Sequence, residues 1–305
     1  MTTTVLIVLC IAALLALFTW RIKVGDRKRH AITDPIRTIV DEATMEEAFS
    51  RLGMHEYWPK AKALVRGQAV LHTTPAPMEV LSIGASRIGG VPDLPPDRMW
   101  PRDAQGNDLG FLAQIDLREA GRYDPEGLLP RTGQLSFFFG SAGDNYDPET
   151  CAVLYVDGDT AQLDRKTVPD SVPDELRFRS CSVRFERRVS LPLEFERTDD
   201  LDLPLEAGDL LMDPLKRDTA GNKLLGWPDS IQGPPEDDAL ASINDLRAPS
   251  QHLDREDIRL LFQVDSEEEK TGMTWGDAGM VYFLIAGSDL QSRRFDRCVA
   301  ILQCH

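Results

Sequence analysis

The sequence lacks the short signatures by which most catalytic and cofactor sites are recognised. It contains no Walker loop, no GxGxxG, no HExxH and no GxSxG motif. Histidine is scarce, and the five positions, none within metal-ligand spacing of another, are His30, His55, His72, His252 and His305. We therefore expect no metal and no cofactor, and no residue is assigned a catalytic role from a motif.

Cysteine is also scarce. The cysteines are odd in number, form no CxxC pair, and stand at Cys10, Cys151, Cys181, Cys298 and Cys304. This pattern excludes a disulfide framework and a structural zinc site of the usual spacing. We therefore expect the soluble part of the chain to reside in a reducing compartment.

Basic residues are the minority among the charged ones. The chain has 34 Lys and Arg against 50 Asp and Glu, a formal net charge of −16. A basic cluster occupies residues 21–29, so the chain after it is more acidic than the whole. Because an acidic surface repels phosphate backbones, nucleic acid is not an expected partner. A basic protein partner and simple solubility both remain consistent with this charge.

Charge of either sign is absent from residues 2–20, which read TTTVLIVLCIAALLALFTW. As a helix this run spans about 28 Å, close to the hydrocarbon thickness of a bilayer. A cleaved signal peptide is disfavoured, because no basic residue precedes Val5 and the run ends in bulky Phe18 and Trp20. The sequence therefore predicts an uncleaved transmembrane anchor over residues 1–24. The basic cluster that follows should keep the remainder in the cytoplasm.

The rest of the chain divides into a helical part and a strand-rich part. Apolar residues recur near helical spacing over residues 34–70, which predicts helices there. These helices belong to a predicted linker, residues 25–77, that packs on the main domain. From residue 78 short apolar or alternating runs are separated by turn residues, which predicts strands. The runs lie at residues 111–117, 133–139, 151–156, 178–185, 279–285 and 298–304.

The strand-rich part, residues 78–305, shows an internal repeat. One half contains RIGGVP, FLAQID and GQLSFFF, and the other contains KLLGWP, LLFQVDS and GMVYFLI in the same order. The shared order with unequal loops predicts two duplicated halves, 78–195 and 205–305, joined by an acidic connection over 196–213. The expected fold is α+β, dominated by antiparallel sheets in two pseudo-symmetric halves and preceded by short helices and the transmembrane helix.

These repeated segments also carry a family resemblance. GGVPDLPP, FLAQIDL, GQLSFFF, KLLGWPDSIQ, LLFQVDS, TWGDAGMVYFLI and FDRCVAILQC resemble the YwqG-like family, a bacterial domain of unknown function, over roughly residues 40–305. The resemblance implies a mixed, β-rich fold and a bacterial source, so the anchoring membrane would be the plasma (inner) membrane. It implies no activity and no catalytic residue. The anchor is not part of the family pattern.

The Gln-x-Asp repeats are the most informative polar feature. Alternation on a strand predicts that Gln114 and Asp116 share one face of the first strand with Leu112, and that Gln263 and Asp265 do so with Leu261. A structural hypothesis has these groups bond the Gly-x-Pro turn of their own half, with Arg87 and Lys223 pairing the aspartates. A functional hypothesis has the two copies face each other across a pseudo-twofold axis and line a cleft.

The loop MTWGDAG is the second candidate site. Trp275 and Asp277 stand there between glycines. Such a loop can bind a ligand by stacking on the tryptophan. It can equally be a tight turn that buries Trp275 and uses Asp277 to satisfy turn amides.

Two functions are consistent with the sequence. The first is a non-catalytic binding protein at the cytoplasmic face of the membrane, either an immunity-type inhibitor of a basic toxin or a scaffold. The second is a hydrolase-type enzyme that uses Asp116 and Asp265 as paired carboxylates. The two differ in geometry, because the enzyme requires both carboxylates to converge on one cleft.

Overall fold

The computed structural model describes residues 33, 36–140, 150–158, 162–192, 203, 205–216, 221–245 and 247–305. Within these residues no helix is both long and apolar enough to cross a membrane. The transmembrane anchor predicted for residues 1–24 lies outside the described residues.

The protein is β-rich and mainly antiparallel, with a few short helices, as the sequence predicts. Ten of the strands form one sheet. In chain order the strands are β1 Arg66–Pro75, β2 Arg87–Ile88, β3 Asp93–Leu94, β4 Gly110–Asp116, β5 Gln134–Phe139, β6 Cys151–Val156, β7 Asp164–Arg165, β8 Cys181–Ser190, β9 Lys223–Leu225, β10 Ile258–Asp265, β11 Met280–Ala286 and β12 Val299–Gln303. Strands β3 and β7 form a separate two-stranded sheet.

The order of the large sheet is β12-β11-β10-β9-β1-β8-β2-β4-β5-β6. At its centre β1 and β8 pair antiparallel along their whole lengths, with Arg66 opposite Ser190 and Pro75 opposite Cys181. Four strands extend from each side of this pair. We call β2, β4, β5 and β6 the first arm and β9, β10, β11 and β12 the second arm.

The sheet curls so that its two arms face each other across an apolar core. The ring of Phe137 on β5 lies 4.6 Å from that of Phe262 on β10 and 5.1 Å from that of Phe283 on β11. Because β5 and β10 are far apart in the strand order, this contact requires strong curvature of the sheet. The same core includes Leu71 from β1 and Phe185 from β8, so the central pair forms its floor.

The helices flank the sheet, and two of them contribute Leu117, Ala120 and Leu290 to this core. They are α1 Glu42–Arg51, α2 Trp58–Lys62, α3 Leu117–Ala120, α4 Leu205–Lys216, α5 Pro235–Asp245 and α6 Gly287–Gln291. Asp41 caps the N-terminus of helix α1, and its carboxylate accepts the backbone N–H of Thr44 in a capping box. Met45 and Phe49 of α1 pack with Leu211 and Leu215 of α4. The predicted connection over 196–213 is thus helical where the structure describes it from residue 205 onward.

The helical prediction over 34–70 is wrong at its end. Helix α2 stops at Lys62, and the sheet starts at Arg66, ahead of residue 78. Apolar Ala69, Val70 and Leu71 fit either period, but pairing with β8 on one side and β9 on the other fixes them as a strand. Tertiary pairing thus overrides the local pattern.

The six predicted runs and the second Gln-x-Asp strand at 260–266 each coincide with an observed strand, with shifted ends, whereas the short strands β2, β3, β7 and β9 were not predicted. The predicted faces are wrong for Leu112 and Leu261, because a bulge interrupts each Gln-x-Asp strand before the glutamine. The register of β4 shifts between Phe111 and Ala113, and that of β10 shifts between Leu260 and Phe262. The extra residue places two consecutive side chains on the core side. Leu112 therefore joins the shared core, whereas Phe111 packs on the outer face.

Candidate functional site

A buried ion pair occupies the outer side of the first arm. Arg87 at the start of β2 and Asp93 at the start of β3 are fully buried, with guanidinium and carboxylate 2.9 Å apart. The backbone oxygen of Val91 accepts two further hydrogen bonds from Arg87. The Gly-Gly-x-Pro turn brings Asp93 back over Arg87, because Gly89 and Gly90 both adopt positive φ.

Gln114 completes this first network. Its side-chain oxygen accepts the Asp93 backbone N–H over 2.8 Å, and its amide nitrogen donates to the Asp93 carboxylate over 3.0 Å and to the Ala85 oxygen over 3.0 Å. Burial raises the pKa of Asp93, but the charge of Arg87 and hydrogen bonds from Gly84 N–H and Gln114 outweigh it. The pKa stays below its ordinary value.

The second arm holds a matching network. Lys223 on β9 lies 2.9 Å from the carboxylate of Asp229. The oxygen of Gln263 accepts the Asp229 backbone N–H over 2.8 Å, and its nitrogen donates to the Asp229 carboxylate over 3.0 Å and to the Gly221 oxygen over 2.6 Å. Burial raises the pKa of Asp229, but Lys223 and Lys216 lower it to about 2.

The correspondence extends to the strand pairing. Arg87 stands opposite Gln114 and Lys223 opposite Gln263 in the sheet register. The next pair also matches in kind, because the backbone N–H of Asp116 donates to Ser86 Oγ and that of Asp265 donates to Asn222 Oδ1. A second cation reaches each carboxylate, Arg165 at buried Asp93 and Lys216 at half-buried Asp229.

The two predicted aspartates have a different role from the one expected. Arg87 and Lys223 bond Asp93 and Asp229, six residues further along the chain, instead of Asp116 and Asp265. The reason is that the short Gly-x-Pro turn returns directly over the cation, whereas Asp116 and Asp265 end their strands.

Asp116 caps helix α3 by accepting the backbone N–H of Arg118 over 2.9 Å. Asp265 accepts the backbone N–H of Ser266 over 2.7 Å. Burial raises the pKa of Asp265, and the nearby charge of Glu267 raises it further. The carboxylates thus belong to two separate networks on outer faces of the arms, with the shared core between them.

Asp93 and Asp229 were missed by the sequence interpretation. Both follow a proline after the turn glycine, in GGVPD and GWPD. That repeated Pro-Asp dipeptide is the signal that identifies them, since an aspartate at the same place in both repeats faces the same basic residue.

The loop of the second candidate site forms a tight turn. Trp275 is buried in the core, with its ring 5.8 Å from Phe139 and 5.6 Å from Phe178. Its carbonyl oxygen accepts the backbone N–H of Gly279. Asp277 is exposed, and its backbone oxygen accepts the N–H of His305. The burial of the indole leaves no face of Trp275 for a stacked ligand.

A shallow groove, which we call the Met78 groove, opens on the first arm. Its volume is about 410 Å³, and its lining residues are Met78, Gly90, Val91, Phe111, Val168, Leu176, Arg177, Phe178, Arg179 and Ser180. Val80 and Ile83 follow Met78 in the chain and are 68% and 43% exposed. With Met99 they are the exposed large hydrophobic residues of the described chain.

Each arm therefore holds a cation, a carboxylate and a glutamine in the same arrangement next to a glycine turn. The protein is thus a curled antiparallel sheet that carries two matching polar networks. The chain belongs to the family described as Domain of unknown function (DUF1963), which matches residues 86–304. A comparison with curated proteins finds no match. The matched region begins after β1, although β1 lies at the centre of the sheet.

Proposed function

We propose that this chain is a non-catalytic binding protein whose Met78 groove receives a basic protein partner. The observation that carries the proposal is the exposure of Val80 and Ile83, which follow the groove residue Met78 within five residues of the chain. Exposed large apolar side chains grouped in one short segment are typical of interaction surfaces, because burying them in a partner is favourable. Single scattered apolar residues would carry no such weight.

The charge of the protein supports a basic partner. The chain carries a net charge of −16, and exposed Glu79, Asp174 and Glu175 lie next to groove residues in sequence. The groove also contains two arginines, but both guanidinium groups bond to carbonyl oxygens of the protein. Arg177 donates to Val172 and Pro169, and Arg179 donates to Glu268, Glu269 and Lys270. The net charge of the chain attracts a cationic surface over distance, and that surface meets the apolar side chains of the groove on contact.

The saturation of the two networks supports the non-catalytic part of the proposal. Gln114 and Gln263 are fully buried, and their side-chain amides are hydrogen-bonded to the turn backbone and to a neighbouring carboxylate. The hydrolase hypothesis needs Asp116 and Asp265 to converge on one cleft, and the core between the two arms disfavours it.

The location and ancestry of the chain are further parts of the proposal. Residues 1–24 anchor it in the bacterial plasma membrane, with the remainder in the cytoplasm. Its motif order makes it YwqG-like. The matched contacts of Arg87 and Lys223 support the view that the two arms arose by duplication, and the paired bulges at Leu112 and Leu261 support it independently.

A site-specific photocrosslinker tests the groove. Placed at Val80 in the full-length chain in bacterial cells, it should give one discrete protein adduct, and the same probe at exposed Glu256, just before β10 on the second arm, should not. Ile83→Asp should abolish the adduct without changing the melting temperature, and mass spectrometry should identify a basic protein. Equal labelling at both positions, or an acidic partner, would overturn the proposal.

A further inference from the structure

A small cavity lies between helix α4 and the central strands of the sheet. We call it the Gln68 cavity, and its volume is about 30 Å³. Ala69 of β1 faces the shared core, so Gln68 and Val70 on either side of it project to the opposite face of the sheet. On that face α4 contributes Met212 and Leu215 to the lining. The cavity therefore has mainly aliphatic walls, and its few polar groups decide what it can bind.

The side-chain amide of Gln68 requires a partner from outside the chain. Gln68 is 6% exposed, and its side-chain oxygen is buried with no hydrogen-bond partner among the described residues. Ser190 also lines the cavity, but its hydroxyl donates to the Arg66 oxygen and accepts the backbone N–H of Trp227. A buried acceptor without a donor costs stability, and native folds usually satisfy such a group with a bound molecule. We therefore expect a hydrogen-bond donor inside the cavity.

The charge of the cavity lining is positive. Lys223 and Lys216 lie 2.9 Å and 3.5 Å from the carboxylate of Asp229. Of the described residues that line the cavity, these three carry charge, so one positive charge is left over. The side chain of Lys223 is 4% exposed, whereas that of Lys216 is 45% exposed and marks the solvent end. Because charges interact more strongly in a low dielectric than in water, a small anion between the lysines is stabilised.

We propose that the Gln68 cavity binds a small 2-hydroxycarboxylate. The carboxylate would accept hydrogen bonds from Lys216 and Lys223, and the hydroxyl would donate to the side-chain oxygen of Gln68. A water molecule supplies the donor without the negative charge, and a simple carboxylate supplies the charge without the donor. Hydrogen phosphate has both, but its strongly hydrated charge fits aliphatic walls poorly. A volume of about 30 Å³ holds roughly two water-sized groups, so the ligand is small and extends past Lys216 toward solvent.

Such a ligand would connect α4 to the sheet. Met212, Leu215 and Lys216 belong to α4, whereas Gln68 and Lys223 belong to β1 and β9. Binding should therefore stabilise the end of α4 against local unfolding. None of these residues lines the Met78 groove, so this site and the proposed basic partner can each fail without the other.

Competition binding to the full-length chain in detergent micelles tests the proposal. Equilibrium dialysis of radiolabelled glycolate, with unlabelled glycolate, acetate or inorganic phosphate as competitor, measures the preference of the site. Acetate lacks only the hydroxyl of glycolate, so it should need a concentration roughly tenfold higher or more to compete equally. Gln68→Leu should remove this preference, and Gln251→Leu at an exposed position should retain it. Lys216→Met should weaken the binding of glycolate and acetate alike.

Hydrogen exchange of the wild type covers the case in which Gln68→Leu does not fold. Glycolate should slow the exchange of backbone amides at residues 211–216 of α4, and acetate at the same concentration should have less effect. The proposal is overturned if glycolate does not bind, if acetate competes equally, or if phosphate competes better. A preference for glycolate that survives in Gln68→Leu would overturn it as well, as would unchanged exchange in α4 at saturating glycolate.

Discussion

Gln263 holds Asp229 by two hydrogen bonds, one of 2.8 Å to its backbone N–H and one of 3.0 Å to its carboxylate. Gln114 holds Asp93 by the same two bonds at the same two distances. In each arm the glutamine therefore fixes both the backbone and the charge of the residue that neutralises the buried cation.

Truncating either glutamine should destabilise the fold by a similar amount. Gln114→Ala and Gln263→Ala each remove the acceptor of an aspartate backbone N–H and one donor to that aspartate's carboxylate, so we expect a loss of about 1–3 kcal/mol in the free energy of unfolding. Urea unfolding of both variants measures it. Asp116→Ala removes only the cap of a four-residue helix and should cost less. A loss confined to one arm would contradict the equivalence of the two networks.

Removing a buried carboxylate should be more damaging. Asp93→Asn leaves Arg87 buried without its counter-charge, so we expect a loss of about 3–5 kcal/mol. Thermal unfolding, monitored by circular dichroism, tests this expectation. The control is Asp277→Asn at an exposed position, which should change stability by less than about 0.5 kcal/mol. Equal melting temperatures for the two variants would show that the buried pair is dispensable.

Acid should destabilise the protein in part through Asp229. Lys223 and Lys216 hold its folded pKa at about 2 against burial, below the unfolded value of about 3.9. The stabilisation is therefore nearly complete above about pH 5 and is lost as the pH falls through about 2, for a total of about 2–3 kcal/mol. As the pH is lowered from about 5 to about 2.5, the urea midpoint of Asp229→Asn should fall less steeply than that of the wild type. Parallel profiles for both proteins would contradict this assignment.

The two turn glycines should be intolerant of alanine. Gly90 and Gly226 have φ values of +75° and +76°. An added Cβ would lie 2.8 Å from the Ser180 Cβ in one case and 2.7 Å from the Ser190 Oγ in the other. Gly53 has φ +72° but open space around it, so Gly53→Ala isolates the backbone strain of about 1–2 kcal/mol.

Differential scanning calorimetry of these three alanine variants ranks the effects. We expect Gly90→Ala and Gly226→Ala to unfold at lower temperature than Gly53→Ala, because they add a steric clash to the strain. If Gly53→Ala is instead the least stable of the three, close packing is not the reason that glycine is required at positions 90 and 226.

The membrane topology has its own test. If residues 1–24 anchor the chain with the remainder inside, protease added to intact spheroplasts should spare residues 30–305, and detergent should expose them. A periplasmic marker protein digested in the same sample controls for protease activity. Digestion of the domain in intact spheroplasts would place it outside the cell.

The sequence predicted most strands, but it did not predict the bulges within them or the contacts of the residues at their ends. Apolar runs such as 151–156 are local signals and were located correctly. The bulges at Leu112 and Leu261 were not predicted, because an extra residue in a strand leaves no mark on composition. Asp93 was missed for a related reason, since its partnership with Arg87 depends on a turn that reverses the chain. β1 was misassigned because its strand character comes from partners far away in sequence.

The placement of β1 has a consequence for the order in which the protein can be made. His72 on β1 bonds Glu186 on β8, 114 residues later, and β1 also pairs with β9, which begins at Lys223. During synthesis β1 leaves the ribosome before either partner exists and must remain an unpaired apolar segment while the first arm is translated. Long-range pairing of this kind is slow and leaves edges open to aggregation. We therefore expect a chaperone to bind residues 66–75 of the nascent chain until Leu225 has emerged from the ribosome.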